Sequence, residues 1–102
     1  MIEIKIIKKG KLPNKLYATG HANYSEKGKD IVCSAFSFLI QSISMYLLNS
    51  DIDIEKRDEE LIILDLNKLY YFDRKLYDYL MFSLKILENK YHKYIKIIEI
   101  EE

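Results

Sequence analysis

The sequence predicts an α+β protein, a two-layer α/β sandwich in the order ββαββαβ with two helices packed on one mixed sheet. Three observations carry that prediction. Apolar and polar residues alternate at the start of the chain, the period-two pattern of a half-buried strand. Two longer stretches repeat apolar residues at three- and four-residue steps, the pattern of a helix. The chain has 102 residues, enough for one core of two layers that buries roughly two-thirds of the unfolded surface. Residues 1–102 are therefore expected to form a single domain.

Each element follows in order. Ile2, Ile4 and Ile6 alternate with Glu3 and Lys5 as the first strand. Lys9-Gly10-Lys11-Leu12-Pro13-Asn14 supplies turn residues. Leu16, Ala18 and Gly20 then alternate with Tyr17, Thr19 and His21, the second strand of a hairpin. Asn23 to Lys29 is polar around Gly28 and reads as a loop. Asp30 is a good N-cap residue for a helix from Ile31 to Leu48. Val32, Phe36, Leu39, Ile43 and Tyr46 form its expected inner stripe, and Ile31, Ala35, Phe38, Ile40 and Leu47 are apolar off that stripe. A helix apolar on more than one face is covered on more than one side, here by the sheet and by a second subunit. Asn49-Ser50-Asp51 ends it. Ile52 and Ile54, a turn at Arg57 to Glu60, and the run Leu61 to Leu66 read as a second hairpin. A second helix spans about Leu69 to Glu88, with Leu69, Phe72, Leu76, Leu80, Leu84 and Leu87 on one stripe. The last strand is about Tyr94 to Ile100.

Composition narrows the function. Apolar residues are 49% and charged residues 31%, a soluble globular balance. Lys plus Arg and Asp plus Glu are each 16. Zero net charge argues against a general nucleic-acid binder, and no direct nucleic-acid binding is expected. No apolar run approaches the ~18 residues that span a membrane, and MIEIKIIKK is not a secretory leader, so a cytoplasmic location is expected. One cysteine excludes an internal disulfide and a Cys-rich zinc site. With His21 and His92 it gives at most three soft donors, and His92 sits in a charged turn. No metal and no cofactor is expected. Lys8, Lys9 and Lys11 read as a solvated hairpin tip. Tyr70 with Tyr71, or Tyr77 with Tyr79, could form a binding patch, but such residues are more often core edges whose hydroxyls reach water.

One segment carries chemistry. His21 ends a strand, and Cys33 follows twelve positions later, three residues after the expected N-cap. A free thiol has a pKa near ~8.5. Unpaired N–H groups at a helix start and a nearby imidazolium both favour its thiolate. The same N–H groups can bind an oxyanion, and a histidine can protonate a leaving amine and then activate water. Asp30 can cap the helix or orient His21, and the sequence leaves both open. A lone cysteine on an apolar helix is ordinarily a small buried hydrophobe, so spacing alone does not establish catalysis.

The stretch GHANYSEKGKDIVCSAFSFLIQS resembles the signature of the ribosomal-processing cysteine protease (Prp) family of bacteria. That signature is Gly-His-Ala, a short loop containing glycine, then Asp-Ile-Val-Cys leading into an apolar helix. The resemblance implies a cytoplasmic homodimer that removes the N-terminal extension of a large-subunit ribosomal protein, cutting after an aromatic residue. It implies Cys33 as nucleophile, His21 as general base and acid, and Asp30 as supporting acid. Gly20 and Gly28 would give the backbone of the loop its freedom, and Ser37 matches a family position one turn after Cys33. Two positions depart from the pattern. Ser34 stands where alanine is usual, and Phe36 where a β-branched residue is usual, so Phe36 is expected to repack the core or narrow a pocket.

The loop from Ala22 to Lys29 is expected to order over the peptide, with Tyr24 its one apolar anchor and a contact for the aromatic residue before the cut. The alternative function is a non-catalytic dimeric module that binds a ribosomal protein's tail or assists ribosome assembly, with Cys33 structural.

Overall fold

The computed structural model describes residues 2–19, 27–57 and 60–102. Five strands and three helices follow one another as β1 (Ile2–Lys9), β2 (Leu12–Thr19), α1 (Lys27–Leu47), β3 (Ile54–Arg57), β4 (Glu60–Ile63), α2 (Leu66–Phe72), α3 (Arg74–Lys90) and β5 (Ile95–Glu101). The strands form one sheet in the order β3-β4-β2-β1-β5. β1 pairs antiparallel with β2 and parallel with β5, and β4 pairs antiparallel with β2 and β3. The α+β class and the mixed sheet are those the alternation predicts.

Strand register explains why one face is apolar. Ile4 stands opposite Ala18 and Ile97, Ile6 opposite Leu16, and Leu16 opposite Ile63. With side chains alternating across a strand, these residues share the inner face. Ile2, Ile4, Ile6, Leu16, Ala18, Leu61, Ile63 and Ile95 are buried there. The helices cover them with Val32, Phe36, Ile43 and Leu47 of α1, Leu66 and Leu69 of α2, and Leu80 and Leu84 of α3. Phe36 is buried, so it fills the core. Among the described residues Ser44 is the buried polar one, and its Oγ donates to the Ile40 carbonyl at 2.7 Å, which satisfies a group that would otherwise be costly to bury.

Several boundaries differ from the sequence reading. The first turn is tighter than expected. Gly10 takes φ +68°, the left-handed region glycine adopts at no steric cost, and β2 begins at Leu12, with Pro13 opposite Lys8 after a register shift at Ile7/Lys8. In the second hairpin, Ile52 precedes β3 and Leu66 opens α2. The expected helix from Leu69 to Glu88 is two helices. Asp73 leaves helical geometry at φ −139° and ψ 67°, accepts a hydrogen bond from the Leu76 N–H at 3.2 Å, and so caps α3. The break removes Phe72 from the buried stripe and leaves it 85% exposed. On α1, Tyr46 is exposed while Ile40 and Leu47 are buried, so the inner stripe is rotated from the expected one.

Candidate active site

The expected site falls between the end of β2 and the first turns of α1, which follow one another in the chain. β2 ends at Thr19, opposite Glu3 of β1, two residues before His21. Ala18 beside it is fully buried between Ile4 and Leu61, which fixes where the chain leaves the sheet. α1 then starts at Lys27. Gly20, His21, Ala22 and Tyr24, with the loop's expected ordering over a peptide, lie outside the described residues.

The helix start corrects one expectation. Asp30 is not an N-cap, because α1 already includes Lys27, Gly28 and Lys29. Cys33 is the seventh residue of the helix rather than a first-turn residue. Only the first four N–H groups of a helix lack an internal partner, so the N–H of Cys33 lies within the ladder. The helix-end field falls off within the first turn. The helix end therefore contributes little field at this position.

Helix geometry groups the remaining positions. Residues three and four apart share a helix face, so positions 30, 33 and 37 lie along one side of α1. That side borders the inner stripe of Phe36 and Ile40. Ser37 is partly buried and Ser34 exposed. His92 is exposed in the turn after α3, as its charged surroundings predict. Among the described residues no cluster of histidine, cysteine, aspartate or glutamate could hold a metal ion, and no helix is long and apolar enough to cross a membrane.

Among the described residues, the titratable groups with shifted values lie on the β1–β5–α3 side. A hydrogen bond from Lys8 to Glu99 at 3.0 Å holds the ammonium above its ordinary value. Burial raises the Tyr77 phenol, against the opposing pull of Lys8 and Arg74. Arg74 is raised by its hydrogen bond to Asp78 and stacks 4.0 Å over the Tyr70 ring. Tyr70 in turn meets Tyr71 and Tyr77 edge-on. Tyr70 and Tyr77 are partly buried at this edge, as expected, whereas Tyr71 and Tyr79 are exposed rather than core-edge residues.

The sequence reading did not identify the outer face of the helical layer on α3. Tyr79, Phe82 and Ile86 are exposed there, beside exposed Ile31, Phe38 and Met45 on α1. Between the two helices lies a groove of about 270 Å³ lined by Ala35, Phe38, Ser42, Tyr79, Ser83 and Ile86 among others. The spacing of Tyr79, Phe82 and Ile86 was the available signal, since three- and four-residue steps place them on one face.

Comparison with known proteins places this arrangement in a family. The chain belongs to the cysteine protease Prp family, whose model matches residues 1–96, and it is accordingly a cysteine protease. Among solved structures, the ribosomal processing protease Prp from S. aureus in complex with a substrate peptide has a TM-score of 0.77 at 22% identity. The alignment covers 97% of this chain and 99% of that one. The same protease with a covalently linked product peptide gives 0.77 at 21% identity, over 97% and 99%. SMU.848 from Streptococcus mutans gives 0.69 at 22% identity, over 100% of this chain and 96% of that one. These likenesses show the fold. Comparison with curated proteins finds no match.

Proposed function

We propose that this chain is a cytoplasmic endopeptidase that removes the N-terminal extension of a large-subunit ribosomal protein, with Cys33 as nucleophile and His21 as general base and acid. The observation that carries the reading is the family match across residues 1–96, which spans the Gly20-His21-Ala22 and Asp30-Ile31-Val32-Cys33 motifs. The S. aureus relatives are described as ribosomal processing proteases, one with a substrate peptide and one with a covalently linked product. A covalent product is what a thiolate nucleophile leaves behind.

The chemistry runs in two halves. His21 takes the Cys33 proton, and the thiolate adds to the scissile carbonyl carbon. The tetrahedral intermediate collapses as His21 protonates the departing amine, leaving a thioester on Cys33. His21 then deprotonates water, which attacks the thioester and releases the acid. Asp30, inside α1 rather than at its cap, is assigned to orienting His21, as a third group orients the base of a triad. Gly20, Ala22, Tyr24, Gly28, Ser34 and Ser37 would shape the loop and the substrate channel. Residues 1–102 act as one domain.

The functional unit is read as a homodimer. The support is the exposed apolar band of Ile31, Phe38 and Met45 on α1 with Tyr79, Phe82 and Ile86 on α3. Bands of this kind mark protein contacts, and an isologous contact covers both copies at once.

The test is cleavage of the organism's own ribosomal protein, carrying its extension, read by intact mass. Wild type should remove the extension. Cys33→Ala should lose at least about 10³-fold in rate while still binding, and His21→Ala should fall similarly. No cleavage by wild type, with the extended protein still bound, would favour the non-catalytic binding module.

A further inference from the structure

β5 forms one edge of the sheet, and among the described residues no strand pairs with its far side. It is the longer and more apolar of the two edges. β3, at the opposite edge, has four residues, three of which are Glu55, Lys56 and Arg57. β5 has seven, four of them isoleucine. A short charged edge resists pairing with another chain, whereas a longer one rich in β-branched residues invites it.

The hydrogen bonds show which backbone groups that edge presents. The Ile2 N–H donates to the Tyr94 carbonyl at 2.8 Å, and the Glu102 N–H donates to the Lys8 carbonyl at 2.8 Å. Even-numbered residues of β5 therefore turn their backbone groups toward β1, and odd-numbered residues turn theirs outward. The first two outward N–H groups are both taken by the end of α3 and its cap. The Ile95 N–H donates to the Tyr91 carbonyl at 3.1 Å. The Ile97 N–H donates to the Glu88 carboxylate at 2.6 Å, a charge-assisted bond.

The stability of α3 does not explain Glu88. The residue lies in the last turn of that helix, where the helix dipole disfavours an anion. It is also partly buried, and a carboxylate drawn out of water needs a donor. The Ile97 N–H is that donor.

We propose that Glu88 guards the β5 edge. By holding the Ile97 N–H, it keeps a second copy of this chain from adding its own β5 to the sheet. The carboxylate occupies the place where the carbonyl of an incoming strand would accept. This role is independent of the catalytic reading.

The test compares Glu88→Ala and Glu88→Gln with wild type in the full chain. Glutamine keeps an acceptor oxygen at the same reach, and alanine does not. Hydrogen exchange at low protein concentration should show the Ile97 amide opening at least about tenfold faster in Glu88→Ala. The Leu84 amide inside α3 should be unchanged, which reports an intact fold, and Glu88→Gln should match wild type. At high concentration, sedimentation should give Glu88→Ala a larger species than wild type and Glu88→Gln the wild-type species. Adding Glu99→Pro to Glu88→Ala removes a second outward donor without touching the β1 ladder, and should restore the wild-type species. A Glu88→Ala protein of wild-type size at every concentration overturns the proposal, even with faster exchange at Ile97, because the carboxylate would then only tie α3 to β5. A larger species that survives Glu99→Pro also overturns it, because the new contact would lie away from this edge.

Discussion

α1 and α3 lie in one layer over the same sheet, yet their outer surfaces are unlike. From Ile31 to Leu47 α1 carries no charged residue, whereas Arg74, Lys75, Asp78, Lys85, Glu88 and Lys90 are spread along α3. α3 is a surface helix with an apolar seam. α1 has an apolar inner stripe and an outer face of Ile31, Phe38 and Met45 among Ser34, Gln41 and Ser42. A helix without charges on its outer face is built to be covered. On the proposed reading, the helix that bears Cys33 is therefore the one expected at the contact between copies.

That comparison can be broken from the inside first. Phe36→Ala removes a large buried side chain from the inner stripe and should cost about 3–5 kcal/mol, measured by chemical denaturation. A loss below about 1 kcal/mol would show that α1 is not anchored by this stripe. From the outside, Phe38→Glu places a charge at an exposed position. Sedimentation should read a dimer for wild type and a monomer for the variant, with the fold retained by circular dichroism. An unchanged dimer would move the contact off α1.

Smaller effects sharpen the α3 side. Asp73→Ala removes the side-chain acceptor of the Leu76 N–H and should cost about 1 kcal/mol, read from the denaturation midpoint. The smallest effect concerns alkaline pH. The Lys8 value is raised, so the stability of its pair with Glu99 is complete below the ordinary lysine value of 10.5 and lost as pH rises through the folded value. Tyr77 is also raised, so the folded chain resists a deprotonation the unfolded chain allows above 10.0. Both act in one direction, and Tm should fall as pH rises past about 10. Glu99→Gln should remove the Lys8 part. That part should be less than about 1 kcal/mol, because the pair is solvent-accessible.

The strands were legible because a two-residue period is set by geometry alone. Ile2, Ile4 and Ile6, or Leu61 and Ile63, could face one core in only one way. The helix boundaries were less legible because local chemistry competed with the pattern. Gly28 reads as a loop residue, but near a helix start its conformational cost is small, and Lys27 to Lys29 join α1. The apolar stripe runs through Phe72 without interruption, but the carboxylate of Asp73 offered a cap and the chain broke there. The candidate site was legible through motif rather than periodicity. A histidine, a cysteine and an aspartate have no preferred spacing as packing residues, so only the combined Gly-His-Ala and Asp-Ile-Val-Cys pattern singled them out.

The central claim is that Cys33 is a thiolate sustained by His21. The chain has one cysteine, so the mass gained with iodoacetamide reports on Cys33 alone. The rate of that gain, followed by intact mass from pH 5 to 10, should rise with a midpoint well below the ~8.5 of a free thiol. In His21→Ala the midpoint should return toward the free value. A free-thiol profile in both proteins would contradict the account.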